Sequence, residues 1–173
     1  MALLKVPVSA KDHIQGNPDA KITLVEYGDY ECPGCSEAYP MTKLIQKRFG
    51  DKLRFVFRHF PLNEIHPVAE AAAETTEFAS VHHRFWEIHD LIYVNQNQIG
   101  MPLLIELTKA LELSVPALEA ALKAGTYRSI IQADIKGGES SGVDGTPTFY
   151  INGQLYEGAF ELDEMIRAIE QHL

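Results

Sequence analysis

Hydrophobic residues follow two different periods along this chain, and the places where the period changes outline its elements. Ile22-Thr23-Leu24-Val25-Glu26-Tyr27 is β-branched and apolar, which predicts a central strand broken by Gly28 and Asp29. Ala38, Met41, Leu44, Ile45 and Phe49 then recur at helical spacing from Cys35 onward, with Gly50-Asp51 as the stop. Pro40 falls inside this helix and removes one backbone hydrogen bond, which predicts a kink. Leu53 to Phe60 alternates with Arg54, Arg58 and His59 and reads as a second strand. From Pro61 to Gly138 the spacing predicts five short helices, over 68–79, 85–94, 102–111, 115–124 and 127–136. Pro67 and Pro102 suit first-turn positions, Ser114 an N-cap, and Gly125 and Gly137 helix stops. Thr148 to Ile151, Asn152-Gly153 and Gln154 to Tyr156 spell a hairpin, and Leu162, Met165, Ile166 and Ile169 a closing helix. There is no repeat, low-complexity tract or flexible linker. Strands at both ends and helices in the middle predict an α/β chain: a sheet-containing domain, residues 1–62 and 141–173, interrupted by an all-helical insertion, residues 63–140.

With 173 residues, 46% of them hydrophobic, the chain can bury a full core without covalent staples. A formal net charge of -9 excludes nucleic acid and anionic membrane surfaces as expected partners, because both reward clustered Lys and Arg. No apolar run approaches the roughly 20 residues of a membrane span, so no membrane insertion is expected. The opening Met-Ala-Leu-Leu-Lys-Val-Pro lacks the long apolar stretch and small-residue cleavage site of a secretory signal. The expected location is therefore cytoplasmic, the alternative being the mature form of a periplasmic or otherwise exported protein with its signal removed.

The chemistry concentrates in the only two cysteines, Cys32 and Cys35, written Cys-Pro-Gly-Cys between the first strand and the first helix. A disulfide across two residues closes too small a loop to stabilise the fold much, so its value lies in reactivity. A cysteine at a helix start meets unpaired N–H groups and the positive end of the helix dipole, both of which favour thiolate. Such settings lower the thiol from about 8.5 to roughly 3.5–7.5. Cys32 is the expected nucleophile. Cys35, one turn later, is the expected resolving thiol that attacks a mixed disulfide. The competing reading is half of a tetrahedral zinc site, which normally recruits a second such pair. No third cysteine exists, and His82, His83 and His89 lie six or seven residues apart in a region predicted to be another helix, so no metal ligand is assigned. Trp86 reads as the core face of a helix, and His59 and His66 as packing or capping residues.

The order of strand, CPGC helix, strand, helical block and then Gly142-Val143-Asp144-Gly145-Thr146-Pro147-Thr148-Phe149-Tyr150-Ile151-Asn152-Gly153 resembles the DsbA-like branch of the thioredoxin superfamily over nearly the whole chain. The segments Tyr27 to Cys32, Phe57 to Leu62 and Phe85 to Asp90 resemble members without an export signal. The resemblance implies a thioredoxin-like fold and thiol-disulfide exchange with protein or peptide clients, reset by a redox partner or glutathione, with no bound cofactor. It also implies a cis Thr146-Pro147 bond packed against the cysteines, with the Thr146 backbone pairing an extended substrate as an added strand. Read on its own, Gly145-Thr146-Pro147 is equally an ordinary turn before an edge strand.

Glu26 occupies the place where this superfamily often keeps a buried acid beneath the resolving cysteine. Buried without a partner, it would have a raised pKa and could take the Cys35 proton; the alternative is a solvent-facing strand residue. The most oxidising members carry Pro-His where this chain has Pro33-Gly34. Without that cation, and with Asp29 and Glu31 adjacent, Cys32 is expected below the free-thiol value but less extreme than in those relatives. Two other function classes fit parts of the pattern. One is a redox-inactive peptide-binding or chaperone module using the groove at Pro147, and the other a glutathione-dependent transferase or isomerase.

Overall fold

A computed structural model describes residues 2–173. Its centre is β2, Ile22–Gly28, which pairs in parallel with β3, Leu53–His59, on one side and antiparallel with β4, Thr148–Ile151, on the other. The edges are β1, His13–Gly16, antiparallel to β3, and β5, Gln154–Leu155, antiparallel to β4, so the strand order is β1-β3-β2-β4-β5. The β4–β5 turn is the expected Asn152-Gly153. Both residues take positive φ, 48° and 82°, as a two-residue hairpin turn of this hand requires.

The connection from β2 to the parallel β3 runs through α1, Pro33–Phe49, which continues unbroken through Pro40. Between β3 and β4 lie α2, Ala69–Val81; α3, Phe85–Val94; α4, Met101–Ala110; α5, Val115–Ala124; and α6, Arg128–Ser140. The chain closes with α7, Leu162–Glu170. The α/β class and the five central helices match the sequence reading.

Both faces of β2 are covered, which is why its burial does not alternate. Ile22 and Leu24 face one apolar cluster that contains both cysteines, Ile45, Phe55, Phe57, Phe149 and Met165, and that runs on without a break into Ala72, Phe85, Ile88 and Leu104 of the helical block. Val25 and Tyr27, on the other face, join Val56, Phe60, Val143 and Tyr150. Alternation along the strand therefore puts Glu26 on the cysteine side of the sheet.

Three local expectations are corrected. The edge strand β1 was not expected: His-Ile-Gln-Gly carries one apolar residue, so its pairing with β3 leaves no periodic signature. Gly137 does not stop a helix, for α6 continues to Ser140. The small residue needed there is Gly138, where a Cβ would fall 2.9 Å from Phe60 and 3.0 Å from Tyr27, so the glycine lets α6 lie directly on the sheet's aromatic face. Pro67 precedes the N-cap Val68 and is not in the first turn of α2. Ser114 does cap α5, its hydroxyl accepting from the Ala117 N–H at 3.2 Å, and Gly125 closes it in the left-handed region.

Candidate active site

Cys32 is the N-cap of α1, in extended conformation with φ -72° and ψ 124°, and Pro33 stands at the first helical position, where the missing N–H costs nothing. The two thiols are free and very differently placed. Cys32 keeps 8% of its surface exposed and Cys35 none. The Asp29 N–H donates to the Cys35 sulfur at 3.5 Å. The Thr146-Pro147 bond is cis, and the Cys32 thiol donates to the Thr146 carbonyl at 3.5 Å. Gly34 faces the same loop, its Cβ direction meeting Pro147 Cδ at 3.4 Å and Cys32 Sγ at 3.8 Å, so Pro33-Gly34 and Thr146-Pro147 form one surface around the outer sulfur.

This geometry splits the two acidities. A hydrogen bond from the Cys35 thiol is the largest influence lowering Cys32; the Thr146 hydroxyl and the backbone N–H groups of Cys35 and Gly34 add to it against burial, and the result is about 5. The Thr146 hydroxyl makes no hydrogen bond among the described residues and is free to turn to the thiolate. Burial, first, then the bond to Cys32 and the negative charges around it push Cys35 well above the ordinary thiol value. The outer sulfur is an anion at neutral pH and the inner one holds its proton.

Glu26 lies behind the pair, 3% exposed, with Oε2 lacking any partner. Burial chiefly, then the neighbouring Cys32 charge, raises it from 4.5 to about 8. Gly28 makes room for that carboxyl: a Cβ there would stand 2.9 Å from Glu26 Oε2 and 2.5 Å from the Phe57 ring.

Asp29 and Glu31 direct their carboxylates at backbone. Asp29 accepts from the N–H groups of Glu31 and Leu62, both at 2.8 Å, and from His66 Nδ1 at 2.7 Å; Glu31 accepts from the Val68 N–H at 3.1 Å. Asp29 thus ties the CPGC turn to the loop after β3. His66 is raised despite the opposing effect of burial, because Asp29 hydrogen-bonds it and because Asp29, Cys32 and Glu31 are negative. This places a cation-forming imidazole within electrostatic reach of Cys32, a role the sequence reading did not give it. Gln96, also missed, donates from Nε2 to the carbonyls of Tyr30 at 3.1 Å and Cys32 at 2.7 Å, clamping the redox turn from the helical block. Nothing in the sequence flags Gln96, because its partners are main-chain atoms more than sixty positions away. His89, considered among zinc ligands by spacing, is buried against Tyr30, whose hydroxyl lies 2.7 Å from its Nδ1. His82 and His83 sit in the exposed turn after α2.

An ionised thiol at a helix start, a buried thiol one turn behind it and a cis-proline loop across from both constitute a dithiol redox centre on a thioredoxin-like sheet. The sequence matches the family described as Thioredoxin over residues 9–171, and the chain belongs to that family. Its architecture is that of the DsbA-like thiol-disulfide oxidoreductases. The fold aligns with oxidised BdbD from Bacillus subtilis at a TM-score of 0.87 and 25% identity, covering 99% of this chain and 97% of that one. It aligns with alpha-DsbA1 from Wolbachia pipientis at 0.83 and 21%, covering 97% and 93%. Among curated proteins it is 37% identical over 169 residues to Na(+)/H(+) antiporter NhaA 1 of Salinispora arenicola and 34% over 167 to NhaA 3 of Salinispora tropica. These matches take in 96% of this chain and 26% of each relative, so the chain spans about a quarter of the length of the curated relatives it matches.

Proposed function

We propose that the protein exchanges a Cys32–Cys35 disulfide and dithiol with protein or peptide clients through a mixed disulfide. The observation that carries this is the opposed placement of two sulfurs one helical turn apart, Cys32 at the helix N-cap beside the cis Thr146-Pro147 loop and Cys35 fully buried behind it. In the reducing direction the Cys32 thiolate attacks one sulfur of a client disulfide. The client S–S bond breaks, a Cys32–client bond forms, and the expelled client thiolate takes a proton from solvent. Cys35 then gives up its proton and attacks Cys32. The pair closes, the second client thiolate leaves, and two electrons have passed to the client. Oxidation of a client dithiol is the same sequence reversed.

Glu26 is the proposed acceptor of the Cys35 proton, directly or through water. While Cys32 is an anion its charge helps keep Glu26 protonated. Once Cys32 is tied up in the mixed disulfide that contribution disappears, so Glu26 ionises more readily and a carboxylate is present to accept the proton when one is needed. Thr146 and Pro147, facing the outer sulfur, are the proposed docking edge for an extended client segment, whose added strand would pair with the Thr146 backbone.

Thiolate stabilisation favours the dithiol over the disulfide. A Cys32 value of about 5 falls between the roughly 7 and 3.5 at the two ends of the superfamily. The potential is accordingly proposed in the middle of the span from about -270 to -120 mV. In the cytoplasm, the proposed compartment, glutathione or a partner dithiol would reset the pair and the reducing direction would dominate.

The test is turnover of insulin disulfides by wild type, Cys32→Ser and Cys35→Ala. Cys32→Ser is expected to fall to the uncatalysed rate, and Cys35→Ala to accumulate a mixed disulfide between Cys32 and the client. Full turnover by Cys32→Ser would overturn the proposal.

A further inference from the structure

Away from the thiols, three metal-ligating side chains converge from three elements. His13 of β1 and His59 at the end of β3 both direct Nε2 at the same oxygen of Glu77 on α2, at 2.6 and 2.8 Å. All three donor atoms lie within 4.8 Å of one another. Glu77 is 64 residues from His13 and 18 from His59, so the sequence shows no ligand spacing. We propose that His13, His59 and Glu77 bind a divalent first-row transition cation, of which zinc is the representative, at the junction of the sheet and the helical block.

Four observations support this reading. Two imidazoles and one carboxylate are a donor set that zinc accepts with its remaining position left to water. Nitrogen donors select against magnesium and calcium, which take oxygen. The separations are close to what a cation needs. Bonds of about 2.0 Å in a tetrahedral site put neighbouring donors roughly 3.3 Å apart, so the two imidazoles need only draw back by a fraction of an ångström from where they now meet Glu77. The rings are also held for the task. His13 is stacked on Phe85, centroids 3.6 Å apart and planes within 6°, and the His59 N–H of the main chain is fixed by Asp134 at 2.9 Å. His59 Nδ1 has no partner among the described residues, so moving the ring proton there when a cation displaces the Glu77 contact breaks no hydrogen bond on that side. With the proton on Nδ1, Nε2 presents its lone pair to a cation. Finally, a cavity of about 560 Å³ borders Glu77, with Asp12, Tyr27, Arg58 and Asp134 in its wall, so the carboxylate has open space on one side. A bound cation would join α2 to the paired strands β1 and β3 at the point where the three side chains now meet through one shared carboxylate oxygen.

The thiols could themselves bind zinc, so the experiment uses the Cys32→Ser, Cys35→Ser background. Zinc binding is measured by competition with a chromophoric chelator, thermal unfolding is followed with and without zinc, and the cobalt(II) spectrum is recorded. The expected result is one equivalent of zinc per chain, a rise in Tm on loading, and cobalt bands of low coordination number without thiolate charge transfer. His13→Phe, which keeps an aromatic ring against Phe85, and Glu77→Gln are each expected to weaken zinc at least tenfold, the smaller of the effects seen when even an outer-shell partner is lost, and to abolish the Tm rise. Because Glu77→Gln disturbs a buried pair, folding of both variants is checked by circular dichroism, and His13→Phe, at a partly exposed position, decides if the other fails to fold. Absence of stoichiometric binding, or binding that His13→Phe leaves unchanged, would overturn the proposal.

Discussion

Glu26 and Glu77 are the same residue at nearly the same depth, 3% and 5% exposed, yet the protein drives them in opposite directions. Glu26, with one oxygen that no hydrogen bond reaches among the described residues, is pushed up to about 8, first by burial and then by the charge of Cys32. Burial would raise Glu77 too, but the hydrogen bonds and charges of His13 and His59 overcome it and hold the carboxyl down at about 2. Partners rather than depth decide. Beneath the cysteines the chain leaves an acid without a partner, so its proton is available at neutral pH. At the sheet's junction with the helical block it surrounds an acid with imidazoles and fixes its charge. The neighbouring Arg58 is secured in the same manner, bound by both oxygens of Asp12 at 2.8 and 3.0 Å, by the Tyr27 hydroxyl, and by the carbonyls of Val6 and Pro7.

The largest effect that this contrast predicts is on stability. Glu77→Ala leaves two buried or half-buried imidazoles facing an empty space and is expected to cost about 3–5 kcal/mol, the range for breaking a buried pair. Urea unfolding measures it, and a loss of the size typical of a surface change would remove Glu77 from the account. Glu26→Gln, which swaps one neutral group for another in both the folded and the unfolded chain below about pH 4.5, is expected to leave stability almost unchanged there.

The second effect is kinetic. Glu26→Gln is expected to slow resolution of the mixed disulfide by about a hundredfold, the usual lower range for lost acid–base help, while the first attack by Cys32 keeps its rate. Stopped-flow with a model disulfide separates the two steps, and equal slowing of both would exclude the proposed proton transfer. The same substitution has a pH signature. Between the ordinary 4.5 and the folded value of about 8, the native chain retains a proton that the unfolded chain releases. Wild-type stability therefore loses up to about 1.4 kcal/mol per pH unit from this group as pH rises through that window. Glu26→Gln is free of that loss, so the variant should gain on wild type from pH 4.5 upward and level off near 8. For Glu77 the sign reverses: its contribution is complete above 4.5 and is lost as pH falls towards about 2.

The smallest effect belongs to Gln96. Gln96→Ala removes the two hydrogen bonds that clamp the turn from Tyr30 to Cys32, and should cost about 1–2 kcal/mol and broaden the reactivity profile of Cys32 with little change in its midpoint. Alkylation rates across pH report both.

The parts of this contrast differ in how far they could be read in the sequence. The cysteine pair and the Asn152-Gly153 turn are contiguous motifs whose chemistry is local, and the structure places them as their spacing implies, whereas the cis Thr146-Pro147 loop beside Cys32 is where the family resemblance put it. Glu26 could be named from the family resemblance, but that it lies buried on the cysteine side depends on the sheet being covered on both faces, a tertiary fact. Asp29 looked like a charge opposing the thiolate. Its three donors come from Glu31, Leu62 and His66, and only folding brings the last two near. The junction at Glu77 was invisible because its edge strand, His13–Gly16, has no alternating pattern and its partners are dispersed along the chain. Local propensity reports elements, whereas buried polar pairing is written only in contacts between them.

The most direct measurement is the ultraviolet absorbance of thiolate in the reduced protein as a function of pH, with Cys32→Ser as the reference. One ionisation near pH 5 that vanishes in Cys32→Ser, with Cys35 remaining protonated well past the ordinary thiol range, is the predicted result. Two overlapping ionisations near the free-thiol value of about 8.5 would contradict it.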